Sequence, residues 1–70
     1  MSQVNTNEIM VKALTRSLLD LMSEIEDQKQ LMFSEIDASL ECDIFIAIDS
    51  KDAFEIRAIT SKVKALREAA

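Results

Sequence analysis

Residues 11–25 have the sequence VKALTRSLLDLMSEI, and this stretch decides the fold class. Its apolar side chains recur at alternating steps of three and four residues, a spacing that places them on one face of an α-helix. We therefore predict a long first helix that begins at Asn5 or Thr6 and packs in a helix bundle or coiled coil. The apolar face of this helix consists of Val11, Leu14, Leu18, Leu21 and Ile25.

The last part of the chain shows the same alternating spacing. We predict a second long helix there that starts near Asp49 or Ser50, because both residue types are favoured N-caps. Basic residues near its end, such as Arg67, suit the negative end of the helix dipole. The apolar face of this helix consists of Ile56, Ile59, Val63 and Leu66.

The middle of the chain, residues 33–49, fits two structures. As a helix it carries an apolar stripe that includes Phe33, Leu40 and Ile44, whereas as a strand its residues alternate between apolar and polar. The β-branched run at 44–48 favours a strand, but such a strand has no second candidate strand in the chain and would pair with another molecule. We favour the helix, because a chain without Gly or Pro makes few tight turns. In either structure we expect residues 42–48 to be buried, since their helical projection is apolar on nearly every side.

These patterns predict an all-α fold, with residues 1–70 forming a single helical domain. The domain is expected to be a small helical hairpin or a three-helix bundle. An α-β-α arrangement with residues 42–48 as an intermolecular strand is the alternative. A chain of 70 residues without a disulfide pair covers only part of two apolar faces, so we expect a homo-oligomer. Its interface is predicted to use the apolar residues of both long helices: Val11, Leu14, Leu18, Leu21, Ile25, Ile56, Ile59, Val63 and Leu66.

The residue types do not suit catalysis. The chain has no His and only one Cys, so the commonest general base and a zinc-ligand set are both missing. Cys42 lies between Glu41 and Asp43, and we interpret it as a small buried apolar side chain. A phosphate-binding loop and an EF-hand loop both need Gly. We predict that the protein is not an enzyme and has no catalytic residue, metal or cofactor.

Charge is unevenly distributed along the chain. Residues 20–55 hold eleven acidic and two basic residues, whereas residues 56–70 hold four basic residues and one acidic residue. We predict a small protein-interaction or regulatory protein (an adaptor, chaperone or modulator) that binds itself and an unidentified protein through its helices. The alternative is a nucleic-acid-related regulator. It would bind nucleic acid through the basic last helix, or block a basic surface of a DNA-binding protein with its acidic middle. Direct nucleic-acid binding is not expected at a net charge of −5.

The location is predicted from hydropathy and from the unpaired cysteine. The longest apolar run, Ile44 to Ile48, is far too short to span a membrane, so we expect no membrane association. The first residues have neither the basic nor the apolar part of a signal peptide. A lone cysteine fits a reducing compartment, and we expect a cytoplasmic protein.

Overall fold

A computed structural model describes residues 6–69, which form three helices: α1 (Thr6–Lys29), α2 (Phe33–Ser50) and α3 (Ala53–Glu68). The prediction of an all-α fold is confirmed, and of its two forms the three-helix arrangement is the one observed. Residues 42–48 are helical, so the strand alternative is wrong for the described chain. The first helix is described from Thr6 onward, and the proposed cap Asn5 lies outside the described residues.

Helices α1 and α3 lie side by side and run in the same direction. The Arg57 guanidinium Nη2 lies 3.7 Å from the sulfur of Met10, and the Arg67 Nη1 lies 3.0 Å from the Glu24 carboxylate. Early residues of α1 thus contact early residues of α3, and late residues contact late ones, so the two helices are parallel. Helix α2, which connects them along the chain, must run in the opposite direction. The contact between α1 and α3 is the most extensive of the three, and that between α1 and α2 is the smallest. The result is an elongated bundle of 47 × 19 × 17 Å.

The core is formed by apolar side chains from all three helices. It contains no buried polar or charged residue among residues 6–69. Leu14 and Leu66 are partly buried against its edge. The twelve buried residues are Val11, Leu18, Leu21, Met22, Ile25, Phe33, Leu40, Ile44, Ala47, Ile56, Ile59 and Val63.

The first turn is closed by the polar stretch at residues 26–30. Gln30 adopts a left-handed conformation with φ of 59°, and the Leu31 N–H donates to the Glu26 carbonyl at 3.3 Å. This six-to-one hydrogen bond is typical of a Schellman helix end. The Glu26 carboxylate also accepts the Phe33 N–H at 2.7 Å, which ties the end of α1 to the start of α2.

Helix α2 is kinked at Asp37, whose backbone is extended with φ of −159°. The Asp37 carboxylate accepts the Leu40 N–H at 3.0 Å, so this residue acts as an N-cap for the longer part of the helix. Phe33 begins the short helical turn before this kink, and its side chain is buried in the core.

The second turn differs from the predicted one. Asp49 and Ser50 belong to the last turn of α2, and the N-cap of α3 is Asp52, whose carboxylate accepts the Phe54 N–H at 2.9 Å. The predicted cap was wrong because α2 continues to Ser50 and the chain reverses in two residues. Lys51 makes this reversal with φ of 56°, a conformation that usually calls for Gly.

Candidate functional site

The side of α2 that points away from the core carries a group of apolar side chains. We call this the outer face of α2 and define it as Ala38, Cys42, Phe45 and Ile46. All four are exposed, with 52% of Phe45 and 63% of Ile46 accessible to solvent. Positions 38, 42 and 45 follow the four-three spacing of one helix face, and Ile46 lies beside them. The face lines an open depression of about 620 Å³.

Two burial predictions fail at this face. Residues 42–48 were expected to be buried as a whole, but only Ile44 and Ala47 are buried and Ile48 is half-buried. Cys42 was interpreted as a buried side chain and is exposed. The reason is geometric, because α2 contacts α1 and α3 on one side only. The helical period then turns the remaining apolar side chains of this segment outward.

The charge of α2 has one sign. Its residues include five acids and no Lys or Arg. Glu35 and Asp37 accept backbone N–H hydrogen bonds near the start of the helix. The other three, Glu41, Asp43 and Asp49, lie farther along the helix, and two of them, Glu41 and Asp49, line the depression of the outer face. The apolar side chains of this face are thus bordered by negative charge from the same helix.

A groove runs between α1 and α2, where the contact between helices is smallest. Its volume is about 670 Å³, and its apolar lining includes Val11, Leu19 and Ile48. Lys12 and Arg16 of α1 also line it. Ile48 lines both the groove and the depression of the outer face, so the two adjoin each other.

The nine residues predicted to form an interface between chains lie together in the core of a single chain. Seven of them are buried, and Leu14 and Leu66 are partly buried, at the contact of α1 with α3 and α2. The sequence pattern therefore located the core of the bundle. Their use between two copies of the chain stays a prediction.

Two of the four basic residues of α3 contact α1. Arg67 pairs with Glu24, and Arg57 reaches Met10, so both side chains extend along α1. Lys62 lies on the opposite side, where it lines a small cavity with Asp43 and Glu55. These cations follow the helix contacts, as expected for residues that stabilise a bundle, and they are spread over two sides of α3.

Acidic residues are frequent on α2 and in the turn that follows it. Asp52 caps α3, and Asp43 and Asp49 lie on α2. Within residues 6–69 no three His, Cys, Asp or Glu side chains come together in a way that could hold a metal ion.

Comparisons with known proteins give no match. No protein-family model fits the chain, and neither a curated protein nor a solved structure is significantly similar to it. Within the described part of the chain, every helix is too short or too polar to cross a membrane.

The outer face of α2 is the feature that sequence reasoning missed. A signal for it exists in the sequence, because residues 33–50 are rich in apolar side chains yet include five acids and no cation. A helix that is wholly buried rarely carries so many unpaired acids. The combination indicates one packed side and one exposed side that is apolar in its centre and acidic at its edges.

Proposed function

We propose that this protein is a small non-catalytic binding protein that engages another polypeptide through the outer face of α2. The observation that carries the proposal is the exposure of Phe45 and Ile46 beside Cys42 and Ala38. Contiguous exposed apolar patches bordered by polar residues mark interaction sites on soluble domains. A large aromatic and an aliphatic side chain next to each other are also the kind of anchors on which binding energy concentrates.

Two other exposed apolar residues lie outside this surface. Ile9 lies on α1 and Phe54 on the first turn of α3, outside the lining of the depression and the groove. Single exposed apolar side chains are common on protein surfaces and need no function. These two residues therefore provide matched controls for Ile46 and Phe45.

The proposed role is that of an adaptor, chaperone or modulator, in which the bundle presents a binding surface and catalyses no reaction. The exposed thiol of Cys42 fits a reducing compartment, so we expect the protein to act in the cytoplasm. The alternative in which an acidic middle segment covers a basic surface of a DNA-binding protein is a special case of the same proposal. Direct binding of nucleic acid is less favoured, because Arg57 and Arg67 already reach α1.

Self-association was predicted because two apolar faces seemed too large for one short chain to cover. These faces pack against each other within a single chain, so a second copy is no longer needed to bury them. Sedimentation equilibrium at micromolar concentration decides whether a second copy occupies the outer face. A dimer that Phe45→Ser converts to a monomer would identify that occupant.

The test of the proposed function is capture of a partner from lysate of the cells that make the protein. The wild-type chain and two pairs of variants are immobilised: Phe45→Ser with its control Phe54→Ser, and Ile46→Ser with its control Ile9→Ser. We expect proteins retained by the wild type to be lost with the first member of each pair and kept with the control. Equal retention by all five chains would contradict a role for the outer face.

A further inference from the structure

We infer that the outer face of α2 binds an amphipathic helix whose apolar stripe is bordered by Lys and Arg. The inference rests on the proposed function and adds the chemistry of the partner. It follows from the shape of the face, the sign of its charge and the type of backbone that can pack on it.

The shape of the outer face suits a helix. Ala38 and Cys42 are small, whereas Phe45 and Ile46 are large and project from the surface. Rows of side chains spaced by three and four residues form ridges and grooves that accept the ridges of another helix. The small residues allow close approach at one end, and Phe45 provides an anchor at the other.

The backbone of α2 excludes the main alternative of a bound strand. A strand binds by adding to an exposed sheet edge, where unpaired N–H and C=O groups are available. Apart from the interruption at Asp37, the N–H and C=O groups in the interior of α2 are paired with each other, so a strand finds no row of free groups there. A partner on α2 must therefore dock through side chains, which is how an amphipathic helix binds a groove.

The charge of the face selects a basic partner. Glu41 and Asp49 line the depression, and they are separated by eight residues, or about 12 Å along a helix axis. A second copy of the chain, docked by the same face across a two-fold axis, would place the acids of one α2 against those of the other. Because neither α2 nor the lining of the depression includes Lys or Arg, that arrangement gains no compensating pair within the face, and Lys51 and Lys62 line the neighbouring groove and cavity instead. A helix with Lys or Arg beside its apolar stripe pairs with both carboxylates.

The inference is tested with three synthetic helical peptides that carry a fluorescent label. The basic peptide has Leu at the a and d positions of a heptad with Lys and Arg beside them. The acidic peptide keeps Leu at the same positions with Glu beside them, and the scrambled peptide has the composition of the basic one without the periodicity. Binding to the full chain is followed by fluorescence anisotropy.

We expect the basic peptide to bind at least about tenfold more tightly than either of the others, since both the apolar register and the charge must fit. Its affinity should fall several-fold between about 0.05 M and 0.3 M NaCl, because screening weakens pairs between exposed charges. Bound peptide should also slow the alkylation of Cys42, which lies within the face and is the only thiol in the chain.

Variants of the chain test whether the basic peptide binds at the outer face of α2. Phe45→Ser should weaken binding of the basic peptide about tenfold, whereas Phe54→Ser should leave its affinity unchanged. The double variant Glu41→Gln/Asp49→Asn should weaken it about threefold to tenfold, since each lost pair is partly exposed. Its matched control is Asp20→Asn/Glu68→Gln, which makes the same change in net charge on α1 and α3 and should have little effect.

Three outcomes overturn the inference. They are equal binding of the basic and acidic peptides, binding that leaves Cys42 alkylation unchanged, and a homodimer that Phe45→Ser dissociates. The proposed function is judged separately by capture of a cellular partner. If Phe45→Ser and Ile46→Ser lose that partner while the basic peptide does not bind, the outer face is a binding surface and the partner chemistry inferred here is wrong.

Discussion

The α1–α3 pair and helix α2 use their apolar residues in different ways. In the pair, the apolar side chains of the regular three-four repeat turn inward, and a Glu24–Arg67 ion pair bridges the surface above them. In α2 the apolar side chains lie on two sides, so Ile44 and Ala47 enter the core while Phe45 and Ile46 face solvent. The pair also carries charges of both signs, whereas α2 carries acids alone.

This difference distinguishes the apolar surface that the fold buries from the apolar surface that it leaves exposed. Burial of the apolar face accounts for the packing of α1 on α3, and little apolar surface of either repeat is left over. Helix α2 has more apolar surface than its contacts with α1 and α3 can cover. Exposed apolar surface of this kind favours association and has no stabilising role in the isolated chain. The surplus on α2 is therefore the part of the molecule most readily assigned to binding.

The largest effect is expected from a charge placed inside the α1–α3 contact. Leu18 is 0% exposed and its neighbour Leu19 is 43% exposed, so the pair provides an internal comparison. Leu18→Asp buries an unpaired carboxylate at a cost of several kcal/mol, which is comparable to the whole stability of a small domain. We expect loss of helical circular dichroism and of cooperative melting. Leu19→Asp should stay folded, and equal damage from both variants would contradict the assigned faces.

The next largest effect is expected within α2, where a buried and an exposed position are neighbours. Ile44→Ala removes a fully buried side chain and should lower the free energy of unfolding by about 2–4 kcal/mol, from lost burial and the cavity left behind. Phe45→Ala removes a larger side chain from the next position, but this one is half exposed, and the cost should stay below about 1 kcal/mol. Urea denaturation measures both changes. A greater loss for Phe45 would show that this side chain belongs to the core and would remove the basis for the outer face.

Sequence periodicity predicted the buried sides of the α1–α3 pair well, whereas it did not predict the exposed side of α2, for a physical reason. A repeat such as Leu14, Leu18 and Leu21 has one apolar side, so a single pattern fixes both the helix and its buried face. In α2 the stripe with Phe33, Leu40 and Ile44 is the buried side, but segment 42–48 is apolar on most sides, so the sequence did not show that Phe45 stays exposed. The number of neighbouring helices decides which side is covered, and that number is a property of the whole bundle.

The turns were predicted less well than the buried sides of the helices. Without Gly or Pro, the chain was expected to make few sharp reversals, and yet it makes two short ones at Gln30 and Lys51. Packing of three helices outweighs the conformational cost of two residues with positive φ. The cap of α3 was misplaced for the same reason, since Asp52 becomes the cap once α2 extends to Ser50. The spacing of Asp52 and Glu55 is that of a capping box and could have indicated this position.

The smallest effect concerns the turn that sets α2 against the pair. Lys51 holds φ of 56°, a left-handed conformation that costs a residue with a side chain about 1 kcal/mol or more relative to Gly. Lys51→Gly should therefore raise the free energy of unfolding by about 0.5–1 kcal/mol, part of the relief being offset by the greater freedom of Gly in the unfolded chain. Lys51→Ala removes the charge and keeps the unfavourable φ, so it should give no gain. Gln30→Gly should raise the free energy of unfolding less than Lys51→Gly does, because it loses the 3.0 Å hydrogen bond from the Gln30 side-chain amide to the Asp27 carbonyl. Thermal unfolding of the four chains measures these differences. If Lys51→Ala stabilised the chain as much as Lys51→Gly, the gain would come from removing a charge and not from relief of the left-handed backbone conformation.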